Sequence, residues 1–213
     1  MHMLIKLLPK LDKKLLLDLA ELLALSDNPV LWDGKKYDEI TSNTDLDDLS
    51  IQIDKQENEL ITDLKQSASL PGHRNSTSVE NRLVEQLKTF ALNKIELTET
   101  RMIASQAVLA QLLEERSTSE PEYVSLPQLM KARMTGTAPQ EERSMSRPED
   151  PKIMLFEMFL VAMRYGAISS IEQELLKAFQ RHYQLEDYIF DDLLERAEAL
   201  NAEVSKTIAL VLE

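Results

Sequence analysis

The stretch from Val79 to Arg116 contains neither proline nor glycine, the residues that most often interrupt a helix. Thr77 and Glu80 have the spacing of a capping box at its start. A continuous helix here would be roughly 57 Å long at about 1.5 Å per residue, more than a small globular domain needs. The stretch therefore predicts a long helical arm, or two helices if the polar segment 96–101 divides it.

The predicted arm carries two apolar stripes at helical spacing. On an isolated arm both stripes would stay in contact with water, which favours packing against another helix in the same chain or in a different one. We expect a partner protein to cover the stripes, or a second copy of the chain through self-association. The side chains expected to make these contacts are Leu83, Leu87 and Phe90 in the first stripe, and Leu109 and Leu112 in the second.

The composition favours an all-α protein without a catalytic centre. Only 4 glycines and 5% aromatic residues occur, whereas sheets favour aromatic and β-branched residues and turns need glycine. The absence of cysteine excludes disulfides, thiolate catalysis and iron–sulfur clusters. The sequence contains no nucleophile elbow and no glycine-rich phosphate loop. We therefore expect no enzyme activity, no cofactor and no assigned metal ligand.

Charge and hydropathy restrict the partners. The formal net charge is −13, which disfavours direct binding to nucleic acid because phosphates must be neutralised by clustered Lys and Arg. Charged residues interrupt the leucine-rich N-terminus, and no apolar run reaches the roughly 20 residues of a membrane span or resembles a signal peptide. The sequence predicts a cytoplasmic protein that does not enter a membrane.

Proline-rich segments divide the chain, and helices are expected on both sides of them. The first helix should begin after Pro9, with Asp12 as its N-cap. An irregular acidic segment follows over residues 30–50. A methionine-rich run after Pro151 is apolar almost all round, which predicts a helix at the centre of a bundle. The predicted organisation is the N-terminal half of a bundle in 1–66, a linker and the arm in 67–116, a flexible proline-rich linker in 117–151, and the C-terminal half of the same bundle in 152–213.

Two distant segments, 53–61 and 168–176, share one pattern. Each has an isoleucine, a capping residue, two variable positions, a glutamate, one variable position, a glutamate and two aliphatic residues. Each follows an apolar helix and a glycine-containing turn. Two such helical hairpins can bury their apolar faces against each other in a pseudo-symmetric bundle. We expect Ile53 and Ile168 to act as hydrophobic staples, and the capping boxes to be Asp54 with Glu57 and Ser169 with Glu172.

This duplicated pattern resembles the TerB-like domain, named for tellurite-resistance proteins. The resemblance covers about residues 15–66 and 152–202, and leaves the arm and the linker as an insertion. It implies a small all-helical domain with acidic turns, proposed in the family to bind metal. TerB-like domains also occur as small non-catalytic subunits encoded beside ATPases, some of them SMC-like ATPases of the Lamassu kind. The resemblance thus implies an accessory subunit that bridges proteins in a bacterial defence or stress-response complex, against phages or plasmids.

Acidic turn residues leave a divalent-metal function open as the alternative. Asp27, Asp33, Asp54 and Glu57 could offer hard oxygen ligands. However, Asp54 and Glu57 already have a structural role as a capping box. In the C-terminal copy Arg164 stands close before the turn glycine, where the family usually has an acid, and its positive charge would oppose a cation.

Trp32 is the only tryptophan and lies in the irregular segment. A lone tryptophan on a loop either fastens the loop to the core or serves as an anchor for a partner. The first interpretation is favoured, and the second adds Trp32 to the candidate partner-binding residues.

Overall fold

The computed structural model describes residues 4–53, 55–68, 78–118, 150–163 and 166–212. These residues are mostly helical, as the composition predicts, and none of their helices is both long and apolar enough to cross a membrane. The elements in chain order are a 3-10 helix Leu4–Leu7, α1 Lys10–Ser26, β1 Val30–Trp32, a 3-10 helix Tyr37–Glu39, β2 Leu49–Ile51, α2 Lys55–Ala68, α3 Val79–Leu87, α4 Leu92–Ile95, α5 Thr98–Thr118, α6 Pro151–Ala162, α7 Ser170–His182 and α8 Asp187–Leu212.

Helix α1 lies at the centre of the fold. It packs against α2, α3, α5, α6 and α7, and its leucines are buried on nearly every side. A helix buried all round is expected to be central rather than amphipathic. The helix begins at Lys10 with Pro9 at the N-cap position, so the prediction of Asp12 as N-cap is wrong. Asp12 lies in the first turn and is fully buried, where it makes a contact described below.

The segment after α1 contains a small sheet that no pattern in the sequence predicted. Strands β1 and β2 pair antiparallel, with Val30 opposite Ile51. Beyond β1 the chain reverses at Asp33 and Gly34, which have φ values of 52° and 72°. Positive φ at both positions is typical of a type I′ turn, for which Asp-Gly is a preferred sequence. The strands are only three residues long, too short for alternation to be recognised.

The predicted arm is part of the core, which corrects the expectation that it reaches outward. Residues 79–116 form three helices rather than one or two, and both α3 and α5 pack against α1. The first break follows Leu87, where the Thr89 hydroxyl donates a 2.7 Å hydrogen bond to the Gln86 carbonyl. Such local bonds compete with helix continuation. The breaks allow α3 and α5, with their differently placed apolar stripes, to lie against the same central helix.

The ends of the helices test the predicted caps. At α7 the Ser169 N–H donates to Glu172 Oε2 (2.7 Å), and the Glu172 N–H donates to Ser169 Oγ (3.2 Å). The predicted capping box is therefore confirmed there. At α3 the N-cap is Ser78, whose Oγ accepts from the Asn81 N–H, rather than Thr77. Thr77 and the predicted cap Asp54 lie outside the described residues.

Helix α6 is buried at the centre of the C-terminal part, as its methionine-rich sequence predicts. It contacts α1, α7 and α8, and Met154, Met158 and Phe159 are inaccessible to solvent or nearly so. Helices from the two ends of the chain thus share one core, and α5 joins that core between α1 and α7. The predicted staples differ in burial: Ile168 is half-buried against the core, whereas Ile53 is 43% exposed.

Candidate functional site

The leucines proposed to contact a partner lie inside the protein. Leu83 and Leu87 on α3 and Leu109 and Leu112 on α5 are at most 3% exposed, and Phe90 is half-buried against the same core. Helix α1 covers both α3 and α5, and α7 covers α5 as well. These side chains are therefore not available to a partner in this fold. Their helical spacing correctly indicated packing on other helices, but those helices belong to the same chain.

Trp32 is also an interior residue. Its side chain is 1% exposed and makes an edge contact with Tyr37, the ring centroids lying 6.1 Å apart. The interpretation of Trp32 as a core residue is confirmed. Its burial is incompatible with a role as a surface anchor for a partner.

The acidic turns do not converge. Asp27 caps the C-terminus of α1, while Asp33 forms a 3.6 Å ion pair with Lys35 in the hairpin. Arg101 lies near Asp27 and donates to the Asn28 carbonyl at 2.5 Å; burial lowers the pKa of Arg101, and the charge of Asp27 partly opposes that change. Across the described ranges, no group of three or more His, Asp or Glu side chains is arranged to hold a metal ion. The structure does not describe Asp54, the side chain of Glu57, or Arg164.

A buried ion pair connects α1 to α5. Arg116 Nε and Nη2 each lie 2.8 Å from Asp12 Oδ1, and both side chains are at most 6% exposed. Buried Arg116 Nη1 has no hydrogen-bond partner in the structure. Sequence reasoning missed the pair because 104 positions separate its members and neither belongs to a motif. Its position between two core helices indicates a structural role.

A cavity of about 440 Å³ lies between α6, α7 and α8. Its apolar wall includes Phe159 and Phe190, which make an edge-to-face contact with centroids 5.0 Å apart. Asn201 on α8 lines the cavity and donates from Nδ2 to the Met163 carbonyl at 3.1 Å. Its lining residues come from three helices and the turn after α6, so no single segment of the sequence marks it.

Helix α8 is longer than α6, the helix that it packs against. It has 26 residues, about 39 Å, whereas α6 has 12, about 18 Å. Phe190 and Ala197 are buried where α8 contacts α6. Beyond half-buried Val204, every described side chain of α8 is exposed, and Leu210 is 75% exposed. We call residues 203–210, whose described side chains other than Val204 are exposed, the exposed end of α8.

The apolar spacing of α8 continues into this exposed end. Phe190, Leu194, Ala197 and Val204 lie on one stripe with intervals of four and three residues, in which polar Asn201 fills the place between Ala197 and Val204. In the sequence the same spacing continues through positions 208 and 211, which are isoleucine and valine. Such a repeat is typical of a helix that packs along another helix. The exposed end of α8 is therefore the candidate interaction surface.

Comparison of the chain with family models, with curated proteins and with solved structures gives no match.

Proposed function

We propose that this protein is a TerB-like, non-catalytic accessory subunit that binds other proteins through the exposed end of α8. The carrying observation is that the described side chains of α8 beyond Val204 are exposed, among them Leu210 at 75%. Before that point, within the bundle, α8 packs against α6. A helix end that presents an exposed apolar side chain such as Leu210 is suited to occupy a groove or to pair with another helix.

The family resemblance supplies the proposed setting. The duplicated pattern around segments 53–61 and 168–176 resembles TerB-like domains, some of which accompany SMC-like ATPases in bacterial defence or stress-response complexes. An ATPase of that kind is accordingly the proposed partner. The acidic net charge of −13 favours a partner surface with basic residues around an apolar groove.

Co-purification from the native host tests this function. The full chain would carry an affinity tag, and mass spectrometry would identify the proteins that elute with it. Leu210→Glu places a charge on the exposed end of α8 and is expected to remove the partner. Leu46→Glu is the matched control, because Leu46 is 48% exposed on the loop between the 3-10 helix Tyr37–Glu39 and β2. Unchanged circular dichroism in both variants would show that the fold is retained.

Each result has a distinct meaning. Recovery of an ATPase with the wild-type chain and with Leu46→Glu, but not with Leu210→Glu, supports the proposal in full. Recovery of other proteins with the same dependence on Leu210 supports the interaction surface and contradicts the ATPase partner. A clean monomer without associated protein contradicts the function.

A further inference from the structure

The cavity between α6, α7 and α8 has the size of a small-molecule site. Its volume of about 440 Å³ lies within the roughly 300–1,000 Å³ typical of such sites. Phe159, Leu176 and Phe190 contribute an apolar wall, and each is itself buried in the core. Because these side chains are held by packing, the wall is formed before any ligand arrives.

Polar groups of α8 line the same cavity. Glu198 and Asn201 are one helical turn apart, so they lie on the same face of the helix. Because the Asn201 amide nitrogen donates to the Met163 carbonyl at 3.1 Å, its Oδ1 is left as an acceptor. Glu198 forms no ion pair with any residue in the described part of the chain. The polar side of the cavity therefore offers a carboxylate and an amide oxygen.

The electrostatic surroundings also favour a positive ligand. No lysine, arginine or histidine occurs among the described residues that line the cavity. Met163 caps the C-terminus of α6, and the C-terminal end of a helix carries partial negative charge. Among the described lining residues, a negatively charged ligand would meet Glu198 and this helix end with no cation beside them.

We propose that this cavity binds an organic ammonium ion, a ligand with an apolar body and one protonated amine. The body would lie against Phe159 and Phe190, and the amine would donate hydrogen bonds to Glu198 and to Asn201 Oδ1. This inference does not depend on the proposed function, because the cavity lies within the bundle and the exposed end of α8 begins after Ala202.

Isothermal titration calorimetry on the full chain tests the proposal with two matched probes. Phenylpropylammonium carries the expected charge, and phenylpropanol has nearly the same shape without it. We expect the ammonium probe to bind about fivefold more tightly than the alcohol, since an ion pair at a solvent-exposed carboxylate contributes about 1 kcal/mol at most. Binding of neither probe, or equal affinity for both, would overturn the proposal.

Three variants identify the site. Glu198→Gln is expected to remove the preference for the ammonium probe, whereas Glu195→Gln, which takes the same charge from the same helix outside the cavity, should retain it. Ala202→Phe fills the cavity from an exposed position and should abolish binding of both probes. An equal loss of preference in Glu195→Gln would show that the net charge of the protein, rather than the cavity, attracts the ammonium ion, and would overturn the assignment. Unchanged melting temperatures would confirm that the variants are folded.

Discussion

Arg116 Nε donates a 2.8 Å hydrogen bond to Asp12 Oδ1 and thereby joins the last turns of α5 to the first turn of α1 inside the core. Removing one member of a buried ion pair leaves the other charge without compensation, which costs about 3–5 kcal/mol. Asp12→Ala should therefore lower the free energy of unfolding by about that amount, as measured by urea denaturation. The double variant Asp12→Leu with Arg116→Met removes both charges and should be more stable than Asp12→Ala. A double variant less stable than Asp12→Ala would contradict this account of the pair.

Trp32 provides a direct optical test of the core. Its side chain is 1% exposed, so the fluorescence of this single tryptophan should have a blue-shifted maximum and resist quenching by iodide. Trp32→Ala should destabilise the protein by about 3–5 kcal/mol because it leaves a large cavity. Tyr188→Ala is the control at a 65% exposed aromatic residue and should change stability little. Strong iodide quenching in the native state would contradict the burial of Trp32.

Because of the capping box at α7, substitutions at two adjacent serines should differ in their effect on stability. Ser169→Ala removes the side chain that accepts from the Glu172 N–H, and should cost about 1 kcal/mol of stability. Ser170→Ala lies one position further on, inside the first turn and exposed, and should be nearly neutral. Thermal denaturation of both variants measures the difference. Equal effects of the two substitutions would show that the box adds nothing to the stability of α7.

Glu21 makes stability depend on pH. Burial raises the pKa of Glu21 above its ordinary value of 4.5, and its 3.7 Å ion pair with Lys65 opposes that change only in part. The folded state therefore holds the proton more tightly than the unfolded state, so this group lowers stability as pH rises through 4.5 and through the raised folded pKa. The free energy of unfolding of Glu21→Gln, compared with that of the wild type, should therefore increase as pH rises over this range.

Urea denaturation at a series of pH values from below to above 4.5 measures this difference. Glu195→Gln, on the exposed surface of α8, provides the control for a general loss of negative charge. A difference between Glu21→Gln and wild type that shrinks as pH rises would contradict the sign of the effect.

Local patterns in the sequence predicted local structure well. The spacing of apolar residues located α1 and the methionine-rich helix α6, and the order of serine and glutamate located the capping box of α7. These features depend on residues within one or two turns of each other, so neighbouring side chains determine them. The Asp-Gly turn at Asp33 was visible as well, but the three-residue strands beside it were too short to show a pattern.

Which helices pack against one another could not be predicted from such local patterns. The leucines of α3 and α5 had the spacing of a packed helix, but spacing does not identify the partner, which proved to be α1 and α7 of the same chain. The contact between Asp12 and Arg116 and the cavity lined by Phe159 and Glu198 likewise depend on segments far apart in sequence. Neither leaves a signal in any single stretch of residues.

The central position of α1 has a consequence for the synthesis of this protein. Its neighbours include α7, which ends at His182, so the packing around α1 is complete only after residues made more than 150 positions later have emerged. At ribosomal rates that delay is on the order of ten seconds. Until then the face of α1 that α7 covers stays exposed on the nascent chain, and it is the kind of apolar surface that chaperones shield.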